Sequence, residues 1–191
     1  MFIEWMKETR SYRRFEQDPA PSMDQLESLI DLARLAPSAS NRQPLKYILV
    51  RDPEVLPQVF SHLSWAGYLK DWPGPDPDER PTAYIIILSD PAKSKGPGID
   101  IGLAAQSILL GARELGFGAC LLGSIDRPRL REALAIAEHL EIQLVVALGA
   151  PGEEMRLTTA KSDDDIRYWR DDRGVHYVPK RSRKDLIEKV F

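Results

Sequence analysis

Cysteine appears once in the 191 residues, at Cys120, so no internal disulfide framework braces this chain. Histidine appears three times, scattered, with no spacing that would gather a metal ion. Apolar runs stay well short of the roughly 20 residues that a membrane-spanning helix needs. The segment from Met1 to Glu8 is charged too early for a signal peptide, so a cytoplasmic location is expected. A net charge of −3, with both signs interspersed, leaves no basic field for generic nucleic-acid binding. What is present is 43% hydrophobic content, enough to give one compact domain over residues 1–191 a real core.

The organising stretch is Ala36-Pro37-Ser38-Ala39-Ser40-Asn41-Arg42-Gln43-Pro44. Before it, residues 22–36 place Leu26, Leu29, Ile30 and Ala33 near helical spacing behind Ser22, a candidate N-cap, and Pro37 ends the run. After it, residues 47–50 read as a short strand. The loop between is rich in small and amide-bearing residues and pinned by prolines, which suits presentation of backbone N–H groups to a flat polar ligand. An ordinary helix–strand connection is the competing reading.

A short helix over residues 3–8 precedes Thr9-Arg10-Ser11-Tyr12-Arg13-Arg14-Phe15. Guanidinium forks and a hydroxyl at this density match phosphate oxygens, though a solvated basic face has the same composition. Residues 53–60 form a further short helix, and His62 at its end reads as structural. Residues 65–81 are an irregular loop, because repeated Pro with Gly and Asp excludes helix and central strand. Its aromatics Trp65, Tyr68 and Trp72 read first as packing anchors.

Residues 83–88 are apolar throughout, as in a strand buried on both faces. Residues 99–115 form the strongest helix pattern, small or apolar almost all round, and therefore covered on most sides. Its small residues would also admit a partner helix. Asp100 and Gln106 read there as polar anchors. A turn and strand over 116–123 end at Gly123, with Cys120 as a small core residue. Asp126 caps a helix expected over 127–137, with Leu130, Ala133, Leu134 and Ala137 inward, and residues 142–148 form another buried strand. The acidic residues around 162–172 read as a cap and surface charge, with no metal site. Residues 175–184 alternate like an edge strand that runs into a basic patch.

Taken together and in order, these segments resemble the FMN-dependent nitroreductase family. Arg10-Ser11-Tyr12-Arg13-Arg14-Phe15 is similar to its R-S-x-R-x-F opening, and Pro37 to Pro44 is similar to its P-S-x-x-N-x-Q-P loop. The long helix, the glycine-ended strand and the basic tail follow in the family's order. The resemblance implies an α+β fold, with a mixed central β-sheet flanked by helices, in an intertwined homodimer with FMN at the subunit interface. It implies that Arg10 and Ser11 contact the phosphate and ribityl chain and that Arg13 lies near flavin N1 and O2. It further implies that Pro37, Ser38, Ala39 and Asn41 pack against flavin held mainly by the partner, and that Leu122 and Gly123 offer backbone amides to it. A basic residue of the 175–191 extension would close over the phosphate: Arg181 first, then Lys180, with Arg183 as a third choice. Trp65, Tyr68 and Trp72 would wall the substrate side.

The implied reaction is ping-pong: NAD(P)H gives a hydride to flavin N5, and an electron-poor small molecule, a nitroarene or a quinone, then takes the electrons. No catalytic side chain is nominated, because the cofactor performs the redox step. Two departures from the family pattern, Thr9 in place of arginine and Leu45 in place of tryptophan, leave room for a flavin-binding paralogue without turnover. A reductive dehalogenase of the same fold is the other alternative.

Overall fold

The structure is a computed structural model that describes residues 2–191. Its main sheet is built around β5 (Glu141–Pro151). That strand pairs antiparallel with β3 (Ala83–Ser89), with β4 (Gly118–Leu122) and with the short β1 (Phe15–Glu16). β2 (Leu45–Val50) adds antiparallel to the far side of β3. A parallel bridge joins Ser11 to Ala119.

Every residue of β3 is buried, and its side chains alternate between two cores. Tyr84, Ile86 and Leu88 join Val59, Trp65, Leu130 and Val145 on one face. Ala83, Ile85 and Ile87 join Leu26, Leu29, Ala105, Ile108 and Leu148 on the other. Apolar residues at both parities of the strand are what a sheet covered on both faces requires. The pairing shifts register at Ile87/Leu88, opposite Leu144 and Ile142, so that Gln143 is an extra residue in β5. Its amide donates to Ser89 Oγ at 2.7 Å.

The second face is covered by α2 (Met23–Leu35) and α4 (Gly98–Glu114). Ser22 closes a full capping box with Gln25, and Pro37 follows the C-cap. Gly111 of α4 sits against Leu29 and Leu32 of α2, where a Cβ would press on both side chains and hold the helices apart. α4 is not covered on most sides in this protomer. Ile99, Gly102, Leu103 and Gln106 are exposed, beside Phe2, Ile3 and Met6 of α1 (Phe2–Glu8).

The first face is covered by α3 (Leu56–Phe60) and α5 (Arg127–Ala133). α5 stops four residues short of the expected end, with Ala135 at φ 48° and both Ala133 and Ala137 exposed. Arg131 captures the carbonyls of Ile136, Ala137 and Leu140 and holds the chain in a turn where the helical pattern would have continued. The 65–81 loop also contains a 3₁₀ turn, Pro77–Glu79, that its composition did not predict.

The C-terminal region forms a second sheet of β6 (Met155–Thr159), β7 (Trp169–Arg170) and β8 (His176–Lys180), followed by α6 (Arg183–Leu186). β8 is the central strand of this sheet, parallel to β6 and antiparallel to β7, and not the edge strand its alternation implied. β7 pairs only with Tyr177 and His176, so Pro179 lies beyond its reach and has a neighbour on one side alone.

Candidate functional site

After α1, the chain enters an extended path against β4, where Tyr12 N–H donates to the Ala119 carbonyl at 3.1 Å. This path aims Arg10, Ser11 and Arg13 at one cavity of about 260 Å³, whose other lining residues include Gln106, Leu121 and Lys180. Three cationic side chains face this space, and no carboxylate is among its lining residues. Arg10 Nη2 donates to the Met6 carbonyl at 2.6 Å, but its Nε is buried with no hydrogen-bond partner among the described residues. Burial holds the Arg10 pKa below its ordinary value. Lys180 is likewise held down, by burial and then by the nearby Arg10 charge. Partly desolvated cations around an orphaned donor, with no carboxylate beside them, form a site whose electrostatics favour an anion.

Arg13 is buried in the cavity wall. Its Nη1 donates to the Ser11 carbonyl at 3.1 Å, and its guanidinium lies 4.5 Å from the centroid of Tyr168, which also lines the cavity. The tail residue that reaches this site is Lys180. Arg181 points away and pairs with Asp163 at 3.3 Å beside a different surface pocket, and Arg183 opens α6, exposed. Alternation along β8 decides this, and the sequence alone left the register open by a residue.

The Pro37–Pro44 loop lies at a second cavity, of about 240 Å³, lined by Pro37, Ser38, Gln43, Tyr47, Asp100 and Ala104 among others. Asp100 is the buried anchor expected of it: it accepts from Ser38 Oγ at 2.5 Å and from Ala39 N–H at 3.0 Å. Gln43 N–H in turn donates to Ser38 Oγ at 2.9 Å. Within this frame, Ser40, Asn41 and Gln43 all adopt positive φ, at 52°, 52° and 47°. Non-glycine residues rarely hold such angles, and three in one exposed loop mark backbone strain of the kind that collects at functional sites. Asn41 is exposed, its Oδ1 accepting from Gln43 Nε2 at 3.1 Å, and Ala39 is exposed beside it. The two cavities share no lining residue, so one protomer does not bring Arg10, Ser11 and Arg13 together with Pro37, Ser38, Ala39 and Asn41.

At the end of β4, Leu122 turns its side chain into the core, and Leu121 is the residue that faces the cationic cavity. Gly123 follows, exposed, its carbonyl accepting from Arg127 Nη2 at 3.3 Å. Cys120 is buried, and burial pushes its thiol up to about 11, as befits a core residue. Gln106, unlike Asp100, is not a structural anchor. It is exposed at the cavity, and its amide has only Met6 Sδ, at 3.8 Å, as a partner.

Trp65, Tyr68 and Trp72 do not line the cationic cavity. Trp65 packs on Phe60 at 5.7 Å between centroids, and Trp72 takes the Arg170 guanidinium over its ring at 4.3 Å. Arg14 and Glu79 pair at 3.2 Å and tie the 65–81 loop to the N-terminal motif. Tyr68, half exposed, reaches the site only through Tyr168, at 5.0 Å. The sequence reading passed over Glu153, Tyr168, Arg170 and His176, which meet behind Arg13. No spacing rule marks them. The one available signal was a carboxylate directly after Gly152, at the end of β5, in a chain full of exposed carboxylates.

The sequence model of the Nitroreductase family matches residues 6–150. The chain belongs to that family. An Archaeoglobus fulgidus protein with the provisional name NADH dehydrogenase/NAD(P)H nitroreductase is 35% identical over 154 residues, 76% of this chain and 83% of its own length. A crystal structure of a nitroreductase family protein from Clostridium novyi covers 97% of this chain and 98% of its own, with a TM-score of 0.67 at 24% identity. A Desulfovibrio desulfuricans protein, provisionally titled a nitroreductase and solved with FMN, covers 80% of this chain and 87% of its own, with a TM-score of 0.65 at 26% identity. The nitroreductase fold thus extends across the α+β body, while the family match itself stops at Ala150, before the second sheet begins.

Proposed function

We propose that this nitroreductase-family oxidoreductase is an FMN enzyme that oxidises NAD(P)H and reduces an electron-poor small molecule, such as a nitroarene or a quinone. The observation that carries the reading is the cavity of Arg10, Ser11, Arg13 and Lys180, with the buried Arg10 Nε left unpaired. That donor set fits a phosphate: guanidinium forks, a hydroxyl and an ammonium, with no carboxylate in the lining to compete. The relative solved with FMN supports the choice of anion.

When bound, the flavin would supply the redox chemistry, taking hydride equivalents from NAD(P)H and delivering them to the acceptor. The chain's own residues bind and orient. Arg10, Ser11 and Lys180 hold the phosphate end. Arg13, fixed in the wall, keeps a positive charge that favours an anionic over a neutral ligand. At the end of β4, the backbone amides of Leu122 and Gly123 would meet the flavin ring. No side chain here is asked to move a proton.

The proposal includes a homodimer, over the whole of residues 1–191, acting in the cytoplasm. Within one protomer the Pro37–Pro44 loop and the cationic cavity have no lining residue in common, and in this reading a second copy brings the loop to the cavity. The apolar face of Phe2, Ile3, Met6, Ile99 and Leu103 is of the kind that such a copy covers, and Leu186, Ile187, Val190 and Phe191 extend the exposed apolar surface at the tail. The test is steady-state oxidation of NADH and of NADPH by FMN-loaded protein against a quinone and a nitroarene. Parallel double-reciprocal lines are expected. No acceptor-dependent turnover with either nucleotide would overturn the reading.

A further inference from the structure

The Glu153 side chain is 2% exposed. Its Oε1 accepts from the backbone N–H of Arg13 at 2.5 Å and of Arg14 at 3.3 Å. Its Oε2 accepts from Arg170 Nη2 at 2.8 Å and faces His176 Nδ1 at 3.3 Å. A carboxylate removed from water is costly unless donors surround it, and a carboxylate so surrounded is a fixed point. From this one hangs the segment that carries the phosphate-binding cations. The preceding residue tightens the same joint. Gly152 N–H donates to the Arg14 carbonyl at 2.9 Å, and a Cβ at 152 would come within 2.9 Å of the Phe15 backbone.

The other end of Arg13 is held by the residue that precedes β7. Tyr168 covers its guanidinium at 4.5 Å and is itself backed by the His176 ring at 5.3 Å. Both donors to Glu153 Oε1 are thus amides of the cationic segment itself, and the covering ring lines the cavity. A buttress for the core alone would need neither.

We propose that Glu153 is a positioning residue of the cofactor cavity, fixing the Arg13–Arg14 backbone while Tyr168 fixes the Arg13 guanidinium. The second sheet is then part of the binding site, beyond the stretch that the family match covers. The proposal rests on the flavin reading above.

The experiment is FMN titration by fluorescence quenching, with the bound flavin's midpoint potential as a second readout, on wild type, Glu153→Ala, Glu153→Gln and Tyr168→Leu. Glu153→Ala should weaken FMN binding about tenfold or more, since two hydrogen bonds to a charged group are lost. Glu153→Gln keeps an acceptor oxygen for both amides and should recover most of that loss. Tyr168→Leu should weaken binding about fivefold by freeing the guanidinium. Glu153→Ala and Tyr168→Leu should both make the potential more negative, which a remote structural defect would not do. If Glu153→Ala does not fold, Tyr168→Leu decides, because its ring is a partly buried piece of the cavity wall that only flanks the core. Folded variants that match wild type in both affinity and potential would overturn the positioning role. Wild-type protein that takes up no FMN would overturn the flavin reading itself, and the role with it.

Discussion

The Ser38 hydroxyl donates to the Asp100 carboxylate at 2.5 Å, tying the strained loop after α2 to the first turn of α4. Ser38 spends its other capacity on Gln43 N–H, so one hydroxyl sets both ends of the loop. Asp100→Ala leaves the Ser38 hydroxyl and the Ala39 N–H unpaired in a half-buried place and should cost about 1–3 kcal/mol. Urea unfolding should register the loss, with Asp100→Asn intermediate. A variant as stable as wild type would mean that the loop is held elsewhere.

Asn41→Ala addresses the loop's exposed edge. It removes the shorter of the two acceptors for Gln43 Nε2, leaving the residue-41 carbonyl at 3.3 Å, and a side chain suited to positive φ. Retained FMN after desalting should fall while the melting temperature stays within a few degrees, as for surface changes of about 0.5 kcal/mol. Full retention would reduce the loop to a connector.

The two neighbours at the end of β8 should separate cleanly. Lys180→Ala removes a cation from the cavity and should weaken FMN about tenfold, whereas Arg181→Ala breaks only an exposed pair with Asp163 and should change it by less than about twofold. Reversal of that order in a binding titration would shift the register of the tail.

This pair shows where the sequence was legible and where it was not. β3 could be read directly, because Ala83 to Leu88 is apolar at both parities, and α2 announced both its caps. The cationic motif was legible as a phosphate-type cluster because Arg10, Ser11 and Arg13 are close in the chain. Lys180 against Arg181 was not, since strand parity depends on pairing partners that no local pattern reveals. The alternation of residues 175–184 likewise suggested an edge where β8 is central. Glu153 was invisible for a related reason: its value lies in donors 139 and 140 residues away.

Glu153 also makes a prediction in acid. Burial alone would raise its pKa, but His176, Arg170 and the Arg13 amide outweigh that and hold it below the usual carboxylate range. A folded-state pKa below the unfolded value of about 4.3 gives stability that is complete above that pH and lost as pH falls through the folded value. Urea midpoints should therefore fall more steeply below about pH 4.3 for wild type than for Glu153→Gln. Equal slopes would remove Glu153 from the acid response.

Cys120, with its thiol pushed up to about 11 by burial, should resist alkylation at pH 8 in the folded protein and react at once in denaturant. Rapid labelling of the native chain would contradict its place in the core.

The central claim is that the cationic cavity holds a redox-active flavin. The direct measurement is the visible absorption spectrum of FMN-loaded protein, recorded anaerobically before and after NADH or NADPH is added. The account predicts a bound-flavin spectrum that bleaches with one of the nucleotides and returns when a quinone is admitted. A protein that stays colourless after incubation with FMN, or keeps its flavin spectrum unchanged with both nucleotides, would contradict it.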